Sequence, residues 1–156
     1  GGRPPKDVVG SKLGRLSFSV YVHKDLLNQS IKNGRELTFF RASDEIIKEH
    51  KLDLKTDSNE KYLNEYLNAK HTVRSIPLCA AAVKAKLGAS VLPCYVFSND
   101  KSVVRPADAT IMLWGHIWLM HHKDLRQSAR IRALFGHLKK LEHDWPRGWD
   151  NTQGVE

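Results

Sequence analysis

The stretch TVRSIPLCAAAVKAKLGASVLP, residues 72–93, decides the fold, because a strand, a helix and a second strand succeed one another in it with almost no loop. Alternating and β-branched residues predict the first strand at 71–74. Ser75 then offers an oxygen to the free N–H groups of the next turn, and Pro77 is tolerated because that turn needs no donor there. The sequence therefore predicts a helix that begins at about Ser75.

The same stretch predicts how this helix ends and which element comes after it. Cys79, Val83 and Leu87 recur at i, i+4 and i+8 and are expected to form the buried face. Gly88 is expected to end the helix in the left-handed conformation, before a short buried strand at 89–92. Strand, helix and strand in this order predict a parallel, right-handed βαβ unit, whose helix N-terminus could hold a small anion or carboxylate.

The composition is that of a soluble globular protein. The 156 residues suit one domain or two small lobes, and 41% hydrophobic residues allow a sizeable core. No run of about 18 apolar residues could span a membrane, and no secretory signal is present, so a cytoplasmic protein without a membrane partner is expected. Cys79 and Cys94 form no CxxC pair and are expected to be buried, reduced thiols.

The chain is basic, with 25 Lys and Arg against 17 Asp and Glu and a net charge of +8. Such an excess admits nucleic acid or anionic ligands as partners. The basic residues are spread along the chain, without a run of five or an interleaved aromatic stripe. This pattern favours a solvated basic surface over a dedicated nucleic-acid groove.

Periodicity and turn residues predict the elements on both sides of the opening stretch. Residues 1–13, rich in Pro, Gly and charge, are expected to be extended with little structure. The sequence then predicts a strand at 16–22, a short helix at 24–29, a turn at Asn33-Gly34, a strand at 37–40, a helix at 45–50 capped by Ser43-Asp44, a polar loop at 51–59 and an amphipathic helix at 60–69.

The C-terminal part is predicted to contain an aromatic-rich link at 94–99, a weak strand at 103–104 and a loop at 107–110. Residues 111–120 are strongly apolar and allow either one long strand or a loop followed by a strand at 116–120; the second reading is favoured. Asp124 or Ser128 can cap a last helix, and residues 145–156 are expected to be a frayed tail. The apolar stripe of that helix comprises Ile131, Leu134, Phe135, Leu138 and Leu141.

The residues give no support for catalysis, a metal or a cofactor. No GxSxG elbow, Walker loop or GxGxxG fingerprint is present. The eight histidines contain no HExxH or HxH pattern, and His137 and His143 lack the i, i+4 spacing of ligands on one helix face. We therefore expect a protein that is not an enzyme and carries no cofactor.

Four polar side chains come directly after two different predicted strands: Arg41 and Ser43 after one, and Arg74 and Ser75 after the other. A guanidinium and a capping hydroxyl beside helix N-termini suit recognition of a carboxylate or phosphate. Surface ion pairs and ordinary helix caps explain the same residues equally well. The pattern alone leaves both explanations open.

Three stretches resemble LysR-type transcriptional regulators. Residues 73–96, VRSIPLCAAAVKAKLGASVLPCYV, are similar to the family's valine-polar-serine turn, alanine-rich helix and strand that closes in Leu-Pro. Residues 116–140, HIWLMHHKDLRQSARIRALFGHLKK, resemble its closing strand, His-Pro-Asp-Leu-Arg turn and final helix, with Lys123 where proline is usual. Residues 7–27, DVVGSKLGRLSFSVYVHKDLL, are similar to its crossover strand between lobes.

The resemblance implies an α/β fold of the periplasmic-binding-protein-like (type 2) class, in which two lobes enclose a ligand cleft. Here it implies one complete lobe plus part of the other. A crossover strand is expected at 14–23, the second lobe at 24–93 and the returning part of the first lobe at 94–144. Full family members begin with a helix-turn-helix and a linker helix, and nothing in this sequence matches these parts.

The resemblance also implies where a ligand binds. In the family the effector contacts the start of the second lobe's first helix and a strand-to-helix turn. These regions correspond here to Phe40, Arg41, Ala42 and Ser43, and to Arg74, Ser75 and Ile76. Arg74 replaces a more usual small polar residue, which either favours an anionic effector or blocks the pocket.

The expected function is that of a small-molecule effector-sensing and oligomerisation module of a LysR-family regulator. Its expected partners are an anionic effector, further copies of the chain, and DNA only through an N-terminal helix-turn-helix that this sequence lacks. An enzyme or a solute-binding transport protein on the same scaffold is the alternative, since a fold does not determine a function. The lack of a paired acid, base or nucleophile argues against an enzyme, and the lack of an export signal argues against a transport protein.

Overall fold

The computed structural model describes residues 6–43 and 60–141. The strands are β1 (Val8–His23), β2 (Phe40–Ala42), β3 (His71–Val73), β4 (Ala89–Pro93), β5 (Val103–Val104) and β6 (Met112–His122). The α-helices are α1 (Lys24–Asn33), α2 (Glu60–Leu67), α3 (Ile76–Lys84) and α4 (Ala129–Leu141), and Cys94–Phe97 and Lys123–Gln127 form 3₁₀-helices. The predicted helix at 45–50, the loop at 51–59 and the tail at 145–156 lie outside the described residues.

Strand β1 joins the two parts of the larger sheet, because its two halves pair with different strands. Its C-terminal part pairs antiparallel with β4 and β5, whereas its N-terminal part pairs antiparallel with β6. The prediction that residues 1–13 are extended with little structure is therefore wrong from Val8 onward. Ser11 and Lys12 lie opposite Leu119 and Trp118, a long-range pairing that the local sequence does not indicate.

The predicted strand-helix-strand unit is present, with β2 inserted between its two strands. Strand β2 pairs in parallel with β3, and Phe39 forms a parallel bridge with Ala89 at the start of β4. The order across this lobe is therefore β3, β2, β4, β1 and β5. Helix α3 connects β3 to β4 and crosses β2 on the way.

Side chains from the two faces of this sheet form two separate cores. Phe18, Val20 and Val22 of β1 pack with Leu63 and Tyr66 of α2 on one face. On the opposite face, Cys79 and Val83 of α3 pack with Ala42, Leu92, Phe97 and Val103. Phe97 and Val103 therefore pack with residues of α3 and β4.

The end of α3 differs from the prediction. The helix stops at Lys84, so Leu87 lies beyond it and is 60% exposed, whereas Cys79 and Val83 are buried as expected. Lys86, with φ 63°, adopts the left-handed conformation that was assigned to Gly88. Gly88 instead allows close approach of the backbone, since a Cβ atom there would lie 2.2 Å from the Thr38 carbonyl oxygen.

Residues Met112–His122 form one long strand, so the favoured reading of a loop followed by a strand at 116–120 is wrong. The ladder between β1 and β6 contains a register shift at Leu16/Ser17, which pair with Gly115 and Leu113. One extra residue on β6 is accommodated there, so the strand continues past its glycine. Helix α4 begins directly after Ser128, which was one of the two residues, with Asp124, predicted to cap it.

Candidate functional site

The two sequence segments proposed to bind a ligand lie side by side. In the parallel pair of β2 and β3, Arg41 is opposite Thr72 and Ala42 is opposite Val73. The Ser43 N–H donates to the Val73 carbonyl oxygen at 3.0 Å, which continues the pairing beyond the end of β2. Residues 41–43 and 74–76 therefore meet at one edge of the sheet, formed by the carboxyl ends of the strands. We call this edge the strand-end site.

The strand-end site is on the side of the sheet from which β1 leaves for the other lobe. Pro93, at the carboxyl end of β4, lies opposite Phe18, and Phe18 also lies opposite Met112 of β6. Since β2, β3 and β4 run parallel, their carboxyl ends all point in this direction. In open α/β sheets, ligands bind outside the carboxyl ends of the strands.

Helix α3 directs the donors of its first turn toward this edge. Ser75 is its N-cap, in an extended conformation, and the Ser75 side chain makes no capping hydrogen bond within the described residues. The intrahelical ladder begins with the Cys79 N–H, which donates to the Ser75 carbonyl at 3.1 Å. Pro77 has no N–H, so Ile76 and Leu78 carry the first-turn N–H groups that lie outside the ladder. Together with the helix dipole, such groups favour an anion.

Two polar atoms of the site are buried. The Ser43 Oγ atom is inaccessible to solvent and has no hydrogen-bond partner within residues 6–43 and 60–141. The Arg41 Nε atom is buried as well. Arg74 differs because its side chain is exposed at the rim. Because burial of an unsatisfied hydroxyl is costly, Ser43 Oγ is suited to exchange a hydrogen bond with a bound molecule.

Tyr66 contacts the end of β2 at the strand-end site, a role that the sequence did not indicate. Its phenol oxygen accepts a hydrogen bond from the Ala42 N–H at 3.2 Å, and its side chain is only 2% exposed. Burial raises the pKa of Tyr66 to about 12, although the Ala42 N–H and the Arg41 guanidinium act in the opposite direction. The phenol therefore stays neutral and fixes the end of β2. In the sequence Tyr66 is part of an amphipathic stripe, which does not distinguish this role from ordinary core packing.

The side chain of Phe40 lies apart from the other proposed site residues. Its ring stacks on His71 with the centroids 5.1 Å apart, at the amino ends of β2 and β3. Its carbonyl oxygen accepts a hydrogen bond from Ser90 Oγ at 2.7 Å. Phe40 therefore positions the strand, and the side chains at the carboxyl ends belong to Arg41, Ser43 and their neighbours on β3.

The described residues provide neither a membrane-spanning helix nor a metal cluster. None of the helices in residues 6–43 and 60–141 combines the length and hydropathy needed to cross a membrane. Within the same ranges, no group of three or more His, Cys, Asp and Glu side chains is arranged to hold a metal ion. The groups that characterise the strand-end site are therefore its cationic, hydroxyl and backbone N–H groups.

Several solved structures share this fold. The effector domain of the regulator AmpR from Pseudomonas aeruginosa is 17% identical, with a TM-score of 0.61 over 95% of this chain and 71% of that one. The AmpR effector-binding domain from Citrobacter freundii is 15% identical, with a TM-score of 0.59 over 92% and 72%. Full-length LysG from Corynebacterium glutamicum, with its effector Arg bound, is 12% identical, with a TM-score of 0.57 over 92% and 49%.

A comparison with curated protein sequences finds no match. The family model of the LysR substrate binding domain matches residues 3–142, nearly the whole chain. The structural likenesses agree with it and show the periplasmic-binding-protein-like type 2 fold that the resemblance implied. This chain belongs to the LysR substrate-binding domain family, the effector-binding part of LysR-type transcriptional regulators.

Proposed function

We propose that this chain senses an anionic small molecule, of the carboxylate class, that binds at the strand-end site. The observation that carries the proposal is the buried Ser43 Oγ atom, which has no partner in the described residues and lies at the end of β2, where Ser43 N–H bonds to the Val73 carbonyl two residues before the Ser75 N-cap of α3. A carboxylate would accept from a hydroxyl, a guanidinium and backbone N–H groups at once. LysG, which shares the fold, binds its effector Arg, a small molecule that carries a carboxylate group.

The two arginines contribute unequally in this proposal. Arg41 has a buried Nε atom, whereas the Arg74 side chain is exposed. A charge-assisted hydrogen bond contributes about 1.5–3 kcal/mol when it is well formed, and solvent screening reduces this for exposed groups. We therefore assign the larger share of the binding energy to Arg41 and Ser43, with Arg74 as an auxiliary contact at the rim.

The proposed mode of action is binding without catalysis. The effector-bound chain would influence DNA through a helix-turn-helix domain of the regulator, and its own contacts with DNA would be weak and independent of sequence, as a basic surface gives. Copies of the chain would associate through the lobe that contains β6. There Leu113, Met120 and Leu134 are 61%, 47% and 49% exposed.

Thermal-shift titration with a panel of small carboxylates and their uncharged amides tests the ligand class. Carboxylates, but not amides, are expected to stabilise the wild type. Ser43→Ala and Arg41→Lys should each reduce the affinity by about tenfold, since Lys keeps the charge but loses the planar fork of donors. Arg74→Ala should reduce it by less.

Lys70→Ala is the matched control, because Lys70 is exposed and directly precedes β3 at the amino end of the strand. It should leave the shift unchanged. Equal ligand-induced shifts in Tm for the wild type and Arg74→Ala would show that Arg74 does not contribute to binding. Equal shifts in wild type, Ser43→Ala and Arg41→Lys would refute the proposal.

A further inference from the structure

A cavity lies in the other lobe, far along the chain from the strand-end site. It is open to solvent and is bounded by the end of β6, the 3₁₀-helix Lys123–Gln127 and helix α4, and its volume is about 420 Å³. Its polar lining includes Arg126, Arg132, Lys139 and His121, and none of the described residues that line it carries a carboxylate. We call it the basic cavity.

The positive charge of the basic cavity is not neutralised within the described part of the chain. Two described carboxylates that flank the ends of the β1–β6 pair are engaged elsewhere: Asp7 with Lys123 at 2.6 Å, and Asp124 with His122 at 3.1 Å. Arg126, Arg132 and Lys139 form no ion pair with any carboxylate of residues 6–43 and 60–141. Residues 123–141 contain six Lys and Arg against one Asp, so the surrounding surface adds to the field.

The lining is held in position by the fold. Arg132, Gly136 and Lys139 occupy positions i, i+4 and i+7 of α4 and therefore share one helix face. The His121 ring is fixed on two sides: its Nδ1 atom lies 2.7 Å from the His122 carbonyl oxygen, and its ring meets Phe135 edge to face at 4.7 Å. The helix backbone and the His121 ring therefore fix the walls of the basic cavity, and the exposed Arg126, Arg132 and Lys139 side chains lie along it.

A glycine contributes to this space. Gly136 lies within α4, where glycine is unfavourable relative to alanine, and a Cβ atom there would meet nothing within 4 Å. Neither backbone conformation nor close packing therefore requires glycine at this position. Its effect on the structure is to leave the wall of the basic cavity open between Arg132 and Lys139.

We propose that the basic cavity binds a small phosphorylated molecule or inorganic polyphosphate. Two guanidinium groups match the geometry of phosphate oxygens, and an ammonium group adds a third positive charge, so a dianion is favoured over a monoanionic carboxylate. The volume accommodates a phosphate ester of modest size. This site lies on a different lobe from the proposed effector site, and neither depends on the other.

Isothermal titration of the full chain with inorganic pyrophosphate at about 0.15 M salt tests the proposal, since exposed charges are well screened there. Saturable one-to-one binding is expected. Arg132→Ala and Lys139→Ala should each weaken it by about tenfold, the loss of one charge-assisted contact. Arg130→Ala and Lys140→Ala, which remove the same charges from neighbouring helix positions outside the lining, should change the Kd by less than about twofold.

A pair of substitutions at Gly136 separates charge from shape. Gly136→Glu and Gly136→Gln both favour the helix and add nearly the same volume, but only Glu brings a negative charge to the lining. Glu should weaken pyrophosphate binding at least tenfold more than Gln does. Circular dichroism confirms that both variants keep the helix content of the wild type.

Four results would overturn the proposal: no saturable binding, equal losses for lining and control variants, equal effects of Glu and Gln, or acetate that competes as well as pyrophosphate. Displacement of pyrophosphate by short duplex DNA, with the same dependence on Arg132 and Lys139, would also overturn it. That outcome would identify the basic cavity as part of a nucleic-acid surface.

Discussion

Replacing Gly88 by alanine tests the junction that holds the strand-end site together. The added Cβ atom would lie 2.2 Å from the Thr38 carbonyl oxygen and 3.0 Å from the Phe40 ring. That carbonyl accepts the hydrogen bond from Ala89 N–H at 2.7 Å, which joins the segment before β2 to β4. Backbone oxygen cannot rotate away as a flexible side chain can, so the two segments must separate by about 1 Å.

The expected cost has two parts. Overpacking of a close-packed interior costs about 1–3 kcal/mol, and loss of the Ala89-to-Thr38 hydrogen bond adds about 1 kcal/mol. Gly88→Ala should therefore lower the free energy of unfolding by about 2–4 kcal/mol, a large share of the roughly 5–15 kcal/mol typical of a domain. Urea denaturation followed by tryptophan fluorescence and circular dichroism measures this difference.

Two further variants decide why Gly88 is needed. Gly136→Ala is the control for a glycine with free space around it, and should stabilise the protein by about 1 kcal/mol. Gly88→Asn should cost as much as Gly88→Ala, since asparagine tolerates a left-handed helix end but not the close backbone contact that Gly88 makes here. If the free energies of unfolding of Gly88→Asn and Gly88→Ala both lie within about 0.5 kcal/mol of the wild-type value, the contact between Gly88 and Thr38 is not tight. That result would contradict the expected cost.

The remaining predictions concern acid and association. The Ser102 hydroxyl and the Lys84 ammonium hold the pKa of Asp100 at about 2, below its ordinary value of 3.8. The stabilising effect of the Asp100 carboxylate is therefore present above pH 3.8 and is lost as the pH falls toward 2. Over that range the Tm of the wild type should fall more steeply than the Tm of Asp100→Asn. Leu113→Lys should lower the mass that light scattering reports at high concentration, whereas Ile31→Lys, also at an exposed apolar position, should not.

The sequence predicted those helices and strands whose ends are determined by residues close to them in the chain. Ser75 with Pro77 predicted the start of α3, and the alternation at 16–22 predicted the core of β1. The end of α3 was missed because Gly88 satisfies the sequence rule for a helix end. In the structure Lys86 takes that conformation, and the Lys86 and Leu87 N–H groups bond back to Val83 and Ala82.

Pairing over long distances could not be predicted in the same way. Val8 to Leu13 carry a Gly and a Lys among few β-formers, and they become strand because β6 lies alongside them. The same pairing makes Met112–His122 one strand despite Gly115. Strand propensity depends on the neighbouring strand, so neither segment alone contains the information.

The strand-end site was predictable in position but not in composition. Parallel strands that each end in a polar pair, Arg41 with Ser43 and Arg74 with Ser75, meet at one edge, as the chain order implied. Which side chain is buried there depends on α2 and on what covers the edge. Arg41 and Arg74 are equivalent in the sequence, yet Arg41 has a buried Nε atom and lies close enough to Tyr66 to affect its pKa, whereas Arg74 is exposed.

The strand-end site lies close to the irregular part of the ladder between β1 and β6. The β1 ladder is interrupted at two places, Lys12/Gly14 and Leu16/Ser17, and the second lies directly before Phe18, which faces the carboxyl end of β4. A register shift leaves a residue unpaired and allows the strand to bend locally. At the second shift the extra residue belongs to β6, so β6 can bend there, beside the strand-end site. The ligand that we propose for the strand-end site would therefore lie next to the irregular part of the β1–β6 ladder.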